Sequence, residues 1–326
     1  MKTIPFSRLK GVQVGNAQDD AAKTGVTVFR LTTPGWAAVE VLGGGPASRE
    51  TETIALERNH PLNALVFSGG SAYGLAAADG VMHSLEAHGV GYDTVIAVVP
   101  IVCQSSIYDL GYGRADVRPD AAMGFSACEA SFAQNDPRSG NVGAGIGATV
   151  GKAAGMHQAQ KSGIGYAAVQ IDRLQVGVAV LLNSYGDIYA DGRKIAGMHT
   201  PDRKDFADSY ETLLNVAYGN LFTSTTGGTT NTTLAAVFTN GDFTPAELKH
   251  LARMAAAGMA RAIRPAFTTA DGDTGYVVSV GEDADRVTAS IDAVGALAAT
   301  LLEKAIADAV RSASIPETEY LSNCFQ

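Results

Sequence analysis

Three stretches of the chain hold residue types that could do chemistry. Asn231-Thr232-Thr233 stands where a polar tract, ending in Thr223-Ser-Thr-Thr-Gly-Gly-Thr-Thr230, meets the apolar run Thr232-Thr-Leu-Ala-Ala-Val-Phe238. A threonine hydroxyl is a weak nucleophile unless a base sits beside it, and cutting the chain just before it supplies one, its own α-amine. Such an amine has a pKa of about 7.7–8.0, close to the operating pH. Asp271-Gly-Asp-Thr-Gly275 carries two carboxylates one residue apart, just before a strand pattern. They read either as a proton-handling pair or as a solvated Asp-Gly turn. Lys152 closes the glycine-rich stretch Gly140-Asn-Val-Gly-Ala-Gly-Ile-Gly-Ala-Thr-Val-Gly-Lys152.

Rival chemistries fail on spacing. A P-loop needs glycine six residues before its lysine, where Ile146 stands, and a hydroxyl just after it, where Ala153 stands. The dinucleotide fingerprint is not met either. A calcium loop beginning at Asp271 would need glycine at its sixth position, which is Tyr276. Gly70-Ser-Ala-Tyr-Gly74 lies between a strand and a helix, as a nucleophile elbow does, but Tyr73 occupies the place of the second glycine. His199 and His250 are the candidates for a triad histidine, with no evident partner. The six histidines show no metal spacing, and Cys103, Cys128 and Cys324 read as ordinary buried thiols. No metal and no cofactor is expected.

The elements that must position these residues alternate between β and α patterns. Strands are expected over 25–31, 37–42, 63–67, 163–171, 174–182, 232–238 and 275–280, from β-branched content and alternation. Helices are expected from about 75 to 88, over 119–134, from Thr244 to about Ile263, and from about Asp283 to Ser312. Thr244-Pro-Ala-Glu247 is a capping box with proline at the first helical position. Residues 200–230 read as irregular. With 24 basic and 33 acidic residues the net charge is −9, which argues against nucleic acid or an anionic membrane as partner. Charged residues make up 17% of the chain, against roughly 25% in ordinary soluble domains, so subunit contacts are expected to cover part of the surface. No apolar run approaches the ~18–20 residues of a membrane span, and no secretory signal is visible at Met1, so the expected compartment is the cytoplasm.

Several motifs, taken in order, resemble the self-processing aminopeptidases. That family includes the L-aminopeptidase/D-amidase-esterases, the β-peptidyl aminopeptidases and the 6-aminohexanoate (nylon) oligomer endo-hydrolases. The motifs are Ser68-Gly-Gly-Ser-Ala-Tyr-Gly-Leu75, Val99-Pro-Ile-Val102, Ile107-Tyr-Asp109, Gly143-Ala-Gly145 with Gly151-Lys152, Leu182-Asn183, Asn231-Thr-Thr-Leu-Ala-Ala-Val-Phe-Thr-Asn240, Thr244-Pro-Ala-Glu-Leu248 and Asp271-Gly-Asp-Thr274.

The resemblance implies a four-layer αββα sandwich like that of N-terminal-nucleophile hydrolases. It implies one structural unit over 1–326, cut into 1–231 and 232–326. Thr232 would be the nucleophile, threonine rather than serine siding with the nylon-oligomer group. Asn183 would hold the oxyanion, Lys152 would lie near the nucleophile, and Asp271 and Asp273 would form the acidic pair. Tyr108, Ser71 and Tyr73 would meet the substrate, a small peptide or oligoamide. Ser106 stands where strict aminopeptidases are expected to carry an acidic group. Assembly as a tetramer of cleaved pairs is implied as well.

Overall fold

The computed structural model describes residues 1–55, 60–219 and 231–324. Two sheets lie face to face. One has six strands in the order Lys2–Thr3, Ile164–Ile171, Leu174–Asn183, Thr232–Thr239, Thr274–Ser279 and Ala37–Val41. The other has five, Val12–Asp19, Thr24–Gly35, Leu62–Ser68, Val102–Ser106 and Ser48–Arg49. The helices Pro245–Ala262 and Ile291–Ser312 cover the outside of the first sheet, and Ala77–Ala87 and Ala121–Ala133 cover the second. The result is the expected αββα sandwich.

Alternation along the strands decides what goes where. On the Thr232 strand, Leu234, Ala236 and Phe238 enter the layer between the sheets, while Ala235 and Val237 meet the outer helices. The inner layer is aromatic at its centre. Phe29 lies 5.2 Å from Phe67 and 5.3 Å from Phe238, ring centre to ring centre. The outer helices approach through small residues; a Cβ at Gly258 would press on the Ala299 backbone at 2.1 Å. At the start of the Pro245–Ala262 helix the expected capping box is present in both directions, Glu247 amide to Thr244 hydroxyl and Thr244 amide to Glu247 carboxylate.

Two expectations need correction. Residues 209–219 form a helix, Ser209–Gly219, rather than irregular chain. Asp208 starts it by accepting from the Tyr210 and Glu211 amides, and buried Asp187, paired with Lys194, accepts from the Ser209 amide and hydroxyl. The Asp208 cap is local, but the Asp187 contact comes from tertiary folding, which the polar composition hides. The Thr223–Thr230 tract lies outside the described residues. The last long helix begins at Ile291, not near Asp283, because Ser290 caps it through the Ala293 amide. Residues 283–285 make only a single 3-10 turn.

Candidate active site

Strand direction brings the chemistry to one edge. Leu174–Asn183 runs antiparallel to the Thr232 strand, so its last residue, Asn183, stands opposite Thr232. Thr274–Ser279 runs parallel to it, so the residues leading into that strand come level with the residues leading into Thr232. Asn231 therefore pairs with Asp271, and the two carboxylates flank the Asn231–Thr232 bond. Thr232, Asn183, Lys152, Asp271 and Asp273, widely separated in sequence, are all buried here.

Their contacts are specific. The Thr232 hydroxyl donates to the Asn231 carbonyl oxygen at 2.6 Å. The Gly272 amide donates to that same oxygen, also at 2.6 Å. Asp273 accepts from the Thr233 amide at 2.6 Å through Oδ1 and from the Phe267 amide at 3.1 Å through Oδ2. Asp271 Oδ2 accepts from the Thr268 amide and hydroxyl, at 2.8 and 2.7 Å. Its other oxygen is buried and makes no full hydrogen bond among the described residues, though the Tyr185 amide lies near enough to favour the carboxylate. Lys152 Nζ donates to Asn183 Oδ1 at 2.8 Å and to the Asn183 carbonyl at 3.1 Å. Asn183 Nδ2 donates to the Tyr108 carbonyl at 3.0 Å. Gly151 carries Lys152 into place with φ +74°; a Cβ there would strike the Met198 nitrogen at 2.0 Å.

Burial makes these groups hard to ionise. Burial is the main reason that Lys152 falls from 10.5 to about 7, with Asp271, Asp273 and Asp109 pulling it back up. Asp271 and Asp273 are both pushed up, chiefly by burial; in Asp273 the neighbouring Asp271 charge adds to the rise, and hydrogen bonds oppose it. Lys152 thus changes protonation near neutrality, as groups in proton-handling sites do.

Of the expected substrate contacts, Tyr108 is half-buried at the site through its carbonyl. Ser71 is half-buried with φ +54°, its amide donating to the Ile107 carbonyl. Tyr73 lies furthest out, 61% exposed, with the Arg118 guanidinium 3.8 Å above its ring. Ser106 is buried, its hydroxyl 2.7 Å from that of Ser68. His250 is exposed and His199 packs on Phe206, 5.0 Å between ring centres.

The residues sequence reasoning missed are Asp109, Thr268 and Gly272. Buried Asp109 accepts from the Gly70 amide and the Thr24 hydroxyl, both at 2.7 Å, fixing the turn that carries Ser71. Burial lifts its carboxyl to about 6. Its position in Ile107-Tyr-Asp109 was its only signal.

The αββα sandwich is the fold of the N-terminal-nucleophile hydrolase class. The model of peptidase family S58 matches residues 8–319, and the chain belongs to that family, one of amide-bond hydrolases. It is 35% identical to an uncharacterized aminopeptidase of Mycobacterium leprae, over 94% of this chain and 89% of that one. It is 28% identical to the 6-aminohexanoate-oligomer endohydrolase of a Kocuria strain, over 95% and 86%. Among solved structures it resembles the L-aminopeptidase D-Ala-esterase/amidase of Ochrobactrum anthropi, a variant of the N-terminal-nucleophile hydrolase fold. That match has TM-score 0.63 and 17% identity, covering 95% of this chain and 89% of that one. Among the described residues no helix is long and apolar enough to cross a membrane.

Proposed function

We propose that the chain cuts itself between Asn231 and Thr232 and then hydrolyses peptide or oligoamide bonds through an acyl-enzyme on Thr232. The observation that carries this reading is the Thr232 hydroxyl, buried at the head of its strand and hydrogen-bonded to the carbonyl of the bond it would break. In processing, Oγ bonds to the Asn231 carbonyl carbon, the C–N bond to Thr232 breaks, and water opens the resulting ester. In turnover the same Oγ attacks a substrate amide, with the freed α-amine or a carboxylate taking its proton.

Asp271 is suited to orient that amine, because it pairs with Asn231 at the head of the Thr232 strand. Lys152 stabilises developing negative charge, and Asn183 with backbone donors holds the substrate oxyanion. Tyr108, Ser71 and Tyr73 would contact the substrate. No metal or organic cofactor enters this scheme.

A second reading, exo-acting aminopeptidase, has the name of the 35%-identical Mycobacterium leprae relative in its favour. Against it stands buried Ser106, neutral where an amine-binding acid would be needed. A long oligoamide with a blocked amino end separates the two: hydrolysis means endo cleavage, and resistance means the aminopeptidase.

The decisive experiment is the intact mass of the purified protein with N-terminal sequencing of the smaller fragment. Fragments of 231 and 95 residues are expected, the second starting at Thr232. A single 33.6 kDa species refutes the reading and favours a scaffold that keeps only the fold. The low charge content also supports assembly of cleaved pairs into a tetramer, and a single pair in dilute sedimentation runs would overturn that.

A further inference from the structure

In the uncut chain the bond to be broken already has a donor aimed at its oxygen, and it is not Asn183. The Asn183 side chain is held at both ends, with one of its two amide hydrogens engaged. Its Oδ1 accepts from Lys152 Nζ and the Thr149 amide, which fixes which end of the side chain is oxygen. Its Nδ2 then donates to the Tyr108 carbonyl. The Gly272 amide, by contrast, lies 2.6 Å from the Asn231 carbonyl oxygen.

We propose that the Gly272 N–H is the oxyanion donor of self-cleavage, and that residue 272 has to be glycine for the nucleophile to work. This deepens the self-cleavage reading and rests on it. As Oγ bonds to the Asn231 carbon, the carbonyl π electrons move onto an oxygen that the Gly272 amide already touches. The Oγ proton passes by way of the neighbouring carboxylate pair, Asp271 and Asp273, to the departing Thr232 nitrogen. The acyl shift therefore needs no outside acid or base, and only the later ester opening consumes water.

The amide is held from both sides before the reaction, the condition under which such donors work best. The Gly45 amide donates to the Asp271 carbonyl, and the Leu42 and Gly43 amides donate to the Asp273 carbonyl. The Asp273 carboxylate is tied down by Thr233 and Phe267. A Cβ at 272 would sit 2.5 Å from Thr232 Oγ, inside contact distance and on the attacking atom itself. Asn183, with a second amide hydrogen beyond the one given to Tyr108, is left for the substrate oxyanion.

The test replaces Gly272 by glycolic acid in cell-free translation. This exchanges the 271–272 amide for an ester, removing the N–H while adding no bulk. The readout is the rate at which the 33.6 kDa chain splits. The ester chain is expected to cut about 10²-fold more slowly than wild type. Asn183→Asp keeps the acceptor oxygen and loses the donor. It should slow cutting by less than the ester does, while turnover by the cut enzyme falls by about 10²-fold. Gly272→Ala should stay whole.

A wild-type chain that never splits refutes self-cleavage itself. A wild-type chain that splits, with the ester chain keeping pace, refutes only the Gly272 role. If the ester chain misfolds, Asn183→Asp still decides: a folded Asn183→Asp chain slowed 10²-fold or more in cutting returns the oxyanion to Asn183. A Gly272→Ala chain that cuts at the wild-type rate overturns the requirement for glycine.

Discussion

Between the sheets, Phe29, Phe67 and Phe238 fill the middle of the sandwich and satisfy one another by contact alone. At the edge of the first sheet, Lys152, Asn183, Asp271 and Asp273 are as deeply buried and satisfy one another by hydrogen bonds and charge. Both regions are buried, but only the second carries an electrostatic cost for it, visible in three ionisable groups moved toward their neutral forms. Buried polar clusters that strain ionisation in this way are where function concentrates. The comparison teaches that stability and chemistry here rest on different residues, and that they should separate under mutation.

The largest separation is expected from Thr232→Ala. It removes the attacking oxygen and leaves the strand register and the aromatic layer untouched. The chain should remain a single 33.6 kDa species with no amidase activity, while its urea midpoint stays near that of an uncut wild-type precursor. Loss of the fold in this variant would mean that the two regions are not separable.

Phe238→Ala makes the converse cut. It opens a cavity where Phe29 and Phe6 now meet the ring, at 5.3 and 5.7 Å. Truncation of a fully buried phenylalanine costs about 3–5 kcal/mol, read as a lowered urea midpoint. The fraction that folds should still cut at residue 231, because no catalytic contact is touched. Failure of that folded fraction to cut would show that the aromatic layer tunes the site.

The two regions also differ in how well the sequence announces them. Leu234, Ala236 and Phe238 alternate with Ala235 and Val237, so the strand, its faces and the core were legible from period alone. The site was legible only as separate motifs. What joins Thr232 to Gly272 is parallel pairing across some forty residues, and no local pattern specifies which strand lies beside which. Asp271-Gly-Asp273 reads locally as a turn, and its glycine owes its importance to an oxygen from another strand. The Ser209–Gly219 helix was hidden for a related reason, since the carboxylate that holds its first residue comes from Asp187, at the start of the strand Asp187–Ala190.

Lys152→Met should produce a smaller effect, at least about tenfold on processing and turnover, or ~1.4 kcal/mol of barrier. Its pH dependence has a sign that can be worked out. Asp271 and Asp273 have raised pKa values, so activity that needs their charge rises as pH climbs toward neutrality. Lys152 loses its proton near 7, so activity that needs its charge falls above that point. A bell near pH 7 is expected, and Lys152→Met should lose the alkaline limb. A wild-type rate that rises through pH 7 and stays high would mean that Lys152 works as a neutral amine. Stability responds separately: the folded chain binds fewer protons at Lys152 than the unfolded one between about pH 7 and 10.5. This residue's contribution to stability therefore grows with pH across that window.

The smallest effect is expected from Thr233→Ala, next to the nucleophile yet outside the reaction. Successive side chains on a strand point to opposite faces, so the Thr233 hydroxyl is on the far side of the strand from Thr232 Oγ. Its amide donates to Asp273 at 2.6 Å, and that bond survives the substitution. Its buried hydroxyl makes no full hydrogen bond, yet it lies close enough to Asp273 to favour the carboxylate. Removing it should leave the cut between Asn231 and Thr232, while Asp273 becomes harder to ionise. The acidic limb of the rate profile should therefore move to higher pH by a few tenths, on the order of 0.5 kcal/mol. Sequencing of the small fragment checks the first claim and a pH profile the second. A Thr233→Ala chain that stays whole would make Thr233, rather than Thr232, the residue on which cutting depends.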